Sequence, residues 1–157
     1  MEKITIRAST AEDAVAIGEI AKVAWKPIFD GYLEQLGEEI FKFLYPEDPL
    51  EKKKKEVAAT AGKGTCFVAE CEGKVVGFAT YLTEGKLGIL ANNAVIMRGK
   101  GIAGMLHEKC FEEMKKKGCE FVRVGTGLDD AHAPARRAYE KDGFKNSLPS
   151  INYFKKL

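Results

Sequence analysis

Apolar and polar residues change period several times along the chain, and each change marks an element. Ile4 and Ile6 alternate with their neighbours as a short strand. Ser9-Thr10-Ala11-Glu12-Asp13 reads as a helix start, with Ser9 and Glu12, or Thr10 and Asp13, spaced as a capping box. Ile17, Ile20, Ala21 and Ala24 follow at helical spacing. Residues 25–50 are less regular, rich in aromatics, and close at Pro46 and Pro49. The run Lys52 to Lys55 is flanked by Glu51 and Glu56, which makes it a solvated helix face. Cys66 to Cys71 and Lys74 to Leu82 are strand-like runs separated by Glu72-Gly73, a tight hairpin signal that predicts antiparallel pairing. Leu87 to Met97 supplies another strand, irregular near Asn92-Asn93.

A glycine-rich turn then opens a helix over about 100–117. Its Ile102, Leu106, Cys110 and Met114 form one apolar stripe, and Gly118 is placed to end it. His107, within this helix, reads as a surface or boundary side chain. Phe121, Val122 and Val124 make the next strand, and Pro134 suits the first turn of a helix that runs through Tyr139 and stops at Gly143. The tail alternates around Ile151 and Tyr153, which predicts a final strand.

Composition narrows the function classes. At 157 residues the chain is one domain, 1–157. Lys plus Arg number 25 against 23 Asp plus Glu, so nothing attracts nucleic acid or anionic lipid in general. Anion binding must come from local placement. The longest uncharged stretch, Leu87 to Met97, is far short of the ~20 apolar residues of a membrane span. The N-terminus lacks the apolar core of a signal peptide, so a cytoplasmic protein is expected. The four cysteines show no C-x-x-C spacing and there are only two histidines, which argues for reduced thiols and no structural metal site.

The informative feature is Arg98-Gly99-Lys100-Gly101-Ile102-Ala103-Gly104, between a strand and a helix. Such a turn aims successive backbone N–H groups at one spot. Glycines remove the Cβ atoms that would hold an oxygen off, and the helix N-terminus adds partial positive charge. Together these suit a pyrophosphate, with Arg98 and Lys100 adding charge from the flanks. A nucleotide-hydrolysing P-loop is excluded, because no Ser or Thr follows a Gly-Lys pair here. Gly99, Gly101 and Gly104 satisfy the letters of a dinucleotide fingerprint. That fingerprint expects a parallel βαβ unit and an acid at the end of the next strand, whereas the hairpin precedes this turn and Glu120 starts the strand. The dinucleotide-binding oxidoreductase therefore stands as an alternative, beside a non-catalytic coenzyme A module.

Arg98-x-x-Gly101-x-Ala103 resembles the Arg/Gln-x-x-Gly-x-Gly/Ala motif of the GNAT superfamily of N-acetyltransferases. A second match follows one strand later. His132-Ala133-Pro134-Ala135-Arg136-Arg137-Ala138-Tyr139-Glu140-Lys141-Asp142-Gly143-Phe144 resembles the family's Asn-x-x-Ala-x-x-x-Tyr-Glu-x-x-Gly-Phe helix, with His132 where the family has Asn. The order of elements agrees too, so the resemblance spans nearly the whole chain.

The resemblance implies an α/β fold with a GNAT-type mixed central β-sheet flanked by α-helices. It implies acetyl transfer from acetyl-CoA, as cosubstrate, to a small-molecule or peptide amine, without nucleic acid or membrane, and it admits a homodimer. Coenzyme contacts fall on Ala94, Val95, Ile96, Arg98, Gly99, Lys100, Gly101, Ile102, Ala103, His132 and Arg136. Backbone N–H groups near Val95 would meet the thioester carbonyl. Tyr139 matches the family's frequent general acid, and a phenol of pKa about 10 can protonate a departing thiolate. No general base stands out, because Lys86 to Met97 contains neither Asp nor Glu. The acceptor site would draw on Trp25, Phe29, Tyr32 and Tyr81.

Overall fold

The computed structural model describes residues 2–157. Strand β1 (Ile4–Ala8) leads through a 3-10 turn (Ala11–Asp13) into helix α1 (Ala14–Leu36), followed by α2 (Glu38–Leu44) and α3 (Pro49–Ala58). Strands β2 (Cys66–Cys71), β3 (Lys74–Glu84) and β4 (Leu87–Val95) form a meander. Helix α4 (Ile102–Lys116) crosses to β5 (Phe121–Val124), and a second 3-10 turn (Asp130–His132) enters α5 (Ala133–Lys141).

The sheet order is β1-β2-β3-β4-β5. Neighbours up to β4 pair antiparallel, while β4 and β5 pair parallel. The Glu72-Gly73 hairpin lies where the sequence puts it, with both residues at positive φ. Alternate residues of β2 divide between two cores. Phe67, Ala69 and Cys71 pack with Leu106, Cys110 and Met114 of α4. Cys66 and Val68 pack with Ile17, Ile20 and Ala21 of α1 and Val57 of α3. Helices thus cover both faces, which is why β2 reads as a nearly unbroken apolar run.

Three expectations change. Helix α1 continues through the aromatic region to Leu36, with Pro27 inside it. Burial of Ile17, Ile20 and Ala21 anchors its first turns and Trp25 packs on the same core, but no residue past Ala21 is buried, so apolar periodicity weakens. The predicted final strand is absent, since residues 144–157 have no regular structure. Leu148, Ile151 and Tyr153 are exposed, and an alternating pattern specifies a strand only where one face is buried. Of the two capping pairs, the structure uses Thr10 and Asp13: the Thr10 N–H donates to Asp13 Oδ2 at 2.7 Å. Ser9 instead accepts from the Gly62 N–H at 3.0 Å.

Candidate active site

The site begins with a defect in the sheet. Tyr81 pairs with Leu90 and Ala79 with Asn93, so β4 carries one extra residue opposite Thr80. The Thr80 hydroxyl donates to the Asn92 carbonyl at 3.0 Å and holds the bulge. Pairing of β4 with β5 stops at Leu90 and Val124. Beyond that point the two strands part around a cleft of about 530 Å³. Ala91 to Val95 form one wall, Gly125 and Thr126 another, and His132, Ala135 and Tyr139 a third. The irregularity expected near Asn92-Asn93 is this bulge.

The glycine turn lies at the mouth of the same cleft. Gly99 and Gly101 have φ of +76° and +71°, left-handed values that favour glycine. A Cβ at either would meet nothing within 4 Å, so the space above the turn is open to a ligand. The Met105 N–H makes the first helical bond, to Gly101 O at 3.2 Å, which leaves the N–H groups at the start of α4 without helical partners. Arg98, Gly99, Gly101, Ile102 and Ala103 line the cleft with Ala94 and Val95. Lys100 points away, with its ammonium 3.9 Å from the Glu2 carboxylate. Ile96 is half exposed, and its N–H donates to Val76 O. Neither lines the cleft.

The turn does sit in a parallel β4-α4-β5 unit, contrary to the sequence expectation. The acid of a dinucleotide site is still misplaced. Glu120 lies before β5, at the end opposite the glycines, where its N–H bonds Lys86 O and its carboxylate pairs with the Lys86 ammonium at 3.2 Å.

Tyr139 is buried at the cleft wall, and its hydroxyl accepts from Asn93 Nδ2 at 3.0 Å. The same nitrogen donates to Ala91 O at 3.2 Å. Asn93 Oδ1 lies 3.0 Å from His107 Nε2, and His107 Nδ1 lies 2.5 Å from Asp142 Oδ2. Burial raises the Tyr139 pKa above the usual phenol value; the Asn93 hydrogen bond opposes this and the Asp142 charge adds to it. The phenol is thus held in its proton-bearing form. His107 is 1% exposed, so it is a buried member of this chain and not the surface residue its position suggested. Sequence reasoning missed it because its partners lie 14 and 35 residues away.

His132 lines the cleft, donates from Nδ1 to Asp129 Oδ1 over 2.5 Å, and stacks on Tyr32 of α1. Arg136 is otherwise engaged: its guanidinium donates to the Gly127 and Asp129 carbonyls at 2.6 and 2.8 Å. It pins the loop before α5 and does not line the cleft. Trp25, Phe29 and Tyr32 line a second cleft of about 350 Å³, with Tyr45, Lys53 and Glu56. Trp25 and Ile28 border both clefts and join them. Tyr81 belongs to neither. It is 1% exposed, stacked on Phe67 in the core, because its position on β3 faces α4.

Residues 25–144 match the model of the Acetyltransferase (GNAT) family. The chain therefore belongs to the GNAT acetyltransferases, which removes the oxidoreductase alternative. The aminoglycoside N-acetyltransferase AAC(6')-Iy, solved with CoA, shares the fold at a TM-score of 0.65 and 18% identity, over 100% of this chain and 97% of that one. The PaiA N-acetyltransferase of Thermoplasma acidophilum, solved with coenzyme A, superposes at 0.66 with 22% identity, over 91% and 90%. Diaminobutyrate acetyltransferase EctA from Paenibacillus lautus, solved with its substrate and coenzyme A, gives 0.65 and 16%, over 90% and 75%.

Proposed function

We propose that this acetyltransferase transfers the acetyl group of acetyl-CoA to the primary amine of a small molecule, with Tyr139 as general acid. The observation that carries the reading is the Tyr139 hydroxyl, hydrogen-bonded to the bulged strand at 3.0 Å on the wall of the cleft that opens at the glycine turn. Acetyl-CoA supplies the acetyl group as an activated thioester. Gly99, Gly101, Ile102 and Ala103, with Arg98 beside them, cradle its pyrophosphate. The edge of β4 from Ala91 to Val95, which has no β5 partner, receives the extended arm by backbone hydrogen bonds. Tyr139 gives its proton to the departing thiolate.

The acceptor occupies the cleft of Trp25, Phe29 and Tyr32, whose volume falls within the range of about 300–1,000 Å³ usual for small ligands. AAC(6')-Iy and EctA act on compounds that carry primary amines, which favours the same class here. Strand β4 offers no carboxylate as base, and Glu56, which lines the acceptor cleft, is paired with the Lys53 ammonium at 3.3 Å. The reaction then draws on the neutral fraction of the amine, about one molecule in a few thousand at pH 7. Four unpaired cysteines favour a reducing, cytoplasmic setting.

The test is free-thiol release from acetyl-CoA across a panel of amines, with Tyr139→Phe beside the wild type. Positioned acid catalysis is worth ~10²–10⁴-fold, so kcat should fall on that scale while CoA affinity stays nearly intact. The wild-type rate should climb with pH as amine is freed, and decline only above the usual tyrosine range, because burial raises the Tyr139 pKa. A Tyr139→Phe kcat within threefold of wild type would sink the general-acid role.

A further inference from the structure

A general acid must present its proton to the leaving group, and a phenol has only one hydrogen to present. Which way that hydrogen points is decided by what else the oxygen contacts. Here the contact is the Asn93 amide, and the backbone fixes how that amide is turned. Its nitrogen lies 3.2 Å from Ala91 O. The reverse orientation would set two acceptor oxygens against each other. The nitrogen therefore donates to both Ala91 O and the Tyr139 hydroxyl. The phenol oxygen acts as acceptor, and among the described residues no group accepts its hydrogen.

The far side of Asn93 is held as firmly. Its Oδ1 can only accept, so His107 Nε2 donates to it across 3.0 Å. The Asp142 carboxylate can only accept as well, so Nδ1 donates across 2.5 Å. The Asp142 side chain is 12% exposed and His107 1%, so water competes little for either. The charged and titratable groups facing Tyr139 are thus Asp142 at the C-cap of α5 and His107 on α4, with the neutral Asn93 on β4 between His107 and the phenol.

We propose that Asn93, braced by His107 and Asp142, is a positioning residue that keeps the Tyr139 oxygen an acceptor and so directs its only hydrogen into the cleft. The role rests on Tyr139 being the general acid. Once the amine nitrogen has bonded to the thioester carbon, the proton leaves Tyr139 for the thiolate as the carbon–sulfur bond breaks, and the surplus proton on nitrogen passes to solvent. The Asn93 N–H then faces the phenolate, which it stabilises until solvent returns the proton. Nothing in the sequence motif assigns this work to Asn93 or His107.

Asn93→Asp tests it with almost no change of shape. The new side chain can still accept from His107, but it can no longer donate to Tyr139 and instead captures the phenol hydrogen. The expected result is a kcat at least tenfold below wild type, with CoA affinity within twofold. Placed in Tyr139→Phe, the same change should cost less than twofold, because no phenol hydrogen remains to direct. Asn93→Ala, run through the same cycle, serves if the aspartate variant does not fold. Its loss should be smaller, since the hydroxyl is freed but not captured, and should also vanish in Tyr139→Phe. A single-variant kcat within threefold of wild type would overturn the proposal. So would an equal loss with and without the Tyr139 hydroxyl, the pattern of a merely structural residue. A Tyr139→Phe enzyme at the wild-type rate overturns the general acid itself and this role with it, whereas an impaired Tyr139→Phe with independent Asn93 effects overturns only the positioning role.

Discussion

Arg7 ties β1 to the entry of α1 through one buried carboxylate. Its guanidinium grips Asp13 at 2.8 and 3.0 Å, and Nε reaches Glu70 at 3.0 Å. The Arg7 hydrogen bonds hold Asp13 below the usual carboxylate range against the opposing effect of burial, and the Thr10 N–H helps. A depressed carboxylate pKa adds stability that is complete above the unfolded value of 3.8 and is lost as pH falls through the lower folded value. Arg7→Met should therefore cost about 1.5–3 kcal/mol at pH 7, the scale of a hydrogen bond to a charged group, reduced because the guanidinium is partly exposed. Urea unfolding at pH 7 and pH 3 checks this, and the gap between variant and wild type should narrow at the lower pH. The sequence showed Thr10 and Asp13 as a local pair, because their spacing is local. It could not show the Arg7 bond to Glu70 or His107 at work, since those partners are brought in by strand register or by the packing of the end of α5 on α4.

Helix α4 was legible almost entirely, and for one reason: a single stripe of Ile102, Leu106, Cys110 and Met114 meets a single sheet face. Its approach to β4 is close, since a Cβ on Gly88 would lie 2.4 Å from Met114 Sδ. The glycine turn that starts it was legible because left-handed φ leaves few residue choices. The length of α1 was not, because no residue of it past Ala21 is buried and Pro27 lies inside it, which breaks the usual helical reading. The turn and helix together give the element's prediction. Gly101→Val places a branched Cβ at φ +71° and into the open space over the turn. The left-handed penalty of about 1–2 kcal/mol leaves the fold intact, while blockage of the phosphate position should raise the Kd for CoA at least a hundredfold. Calorimetric titration with CoA beside a melting curve separates the two effects, and wild-type affinity in the folded variant would remove the phosphate cradle.

Two cores, one on each face of a five-stranded sheet, carry the molecule, and neither includes the tail. The hairpin of β2 and β3 and the stripe of α4 were legible from local pattern, whereas the mixed sheet flanked by helices came from the motif resemblance, and the strand order and the division into two cores depend on long-range pairing that no local pattern shows. The tail misled because alternation alone does not say whether a partner exists. Leu148 and Tyr153 are 99% and 87% exposed, and Leu157 is fully so. Lys156 pairs with Glu39 of α2, but both side chains are 72% exposed, and such surface pairs contribute little. A chain ended after Asn146 therefore loses little buried surface, chiefly the half-covered ring of Phe154. Its Tm should stay within about 3 °C of the full chain, since ~1 kcal/mol corresponds to 2–4 °C in a domain of this size. CoA affinity should be unchanged, because the glycine turn, the β4 bulge and α5 all precede the cut. Differential scanning calorimetry of the truncated chain decides the matter. A fall of 10 °C or more would mean that the tail packs on the sheet in solution, and that the alternation around Ile151 and Tyr153 specifies a strand after all.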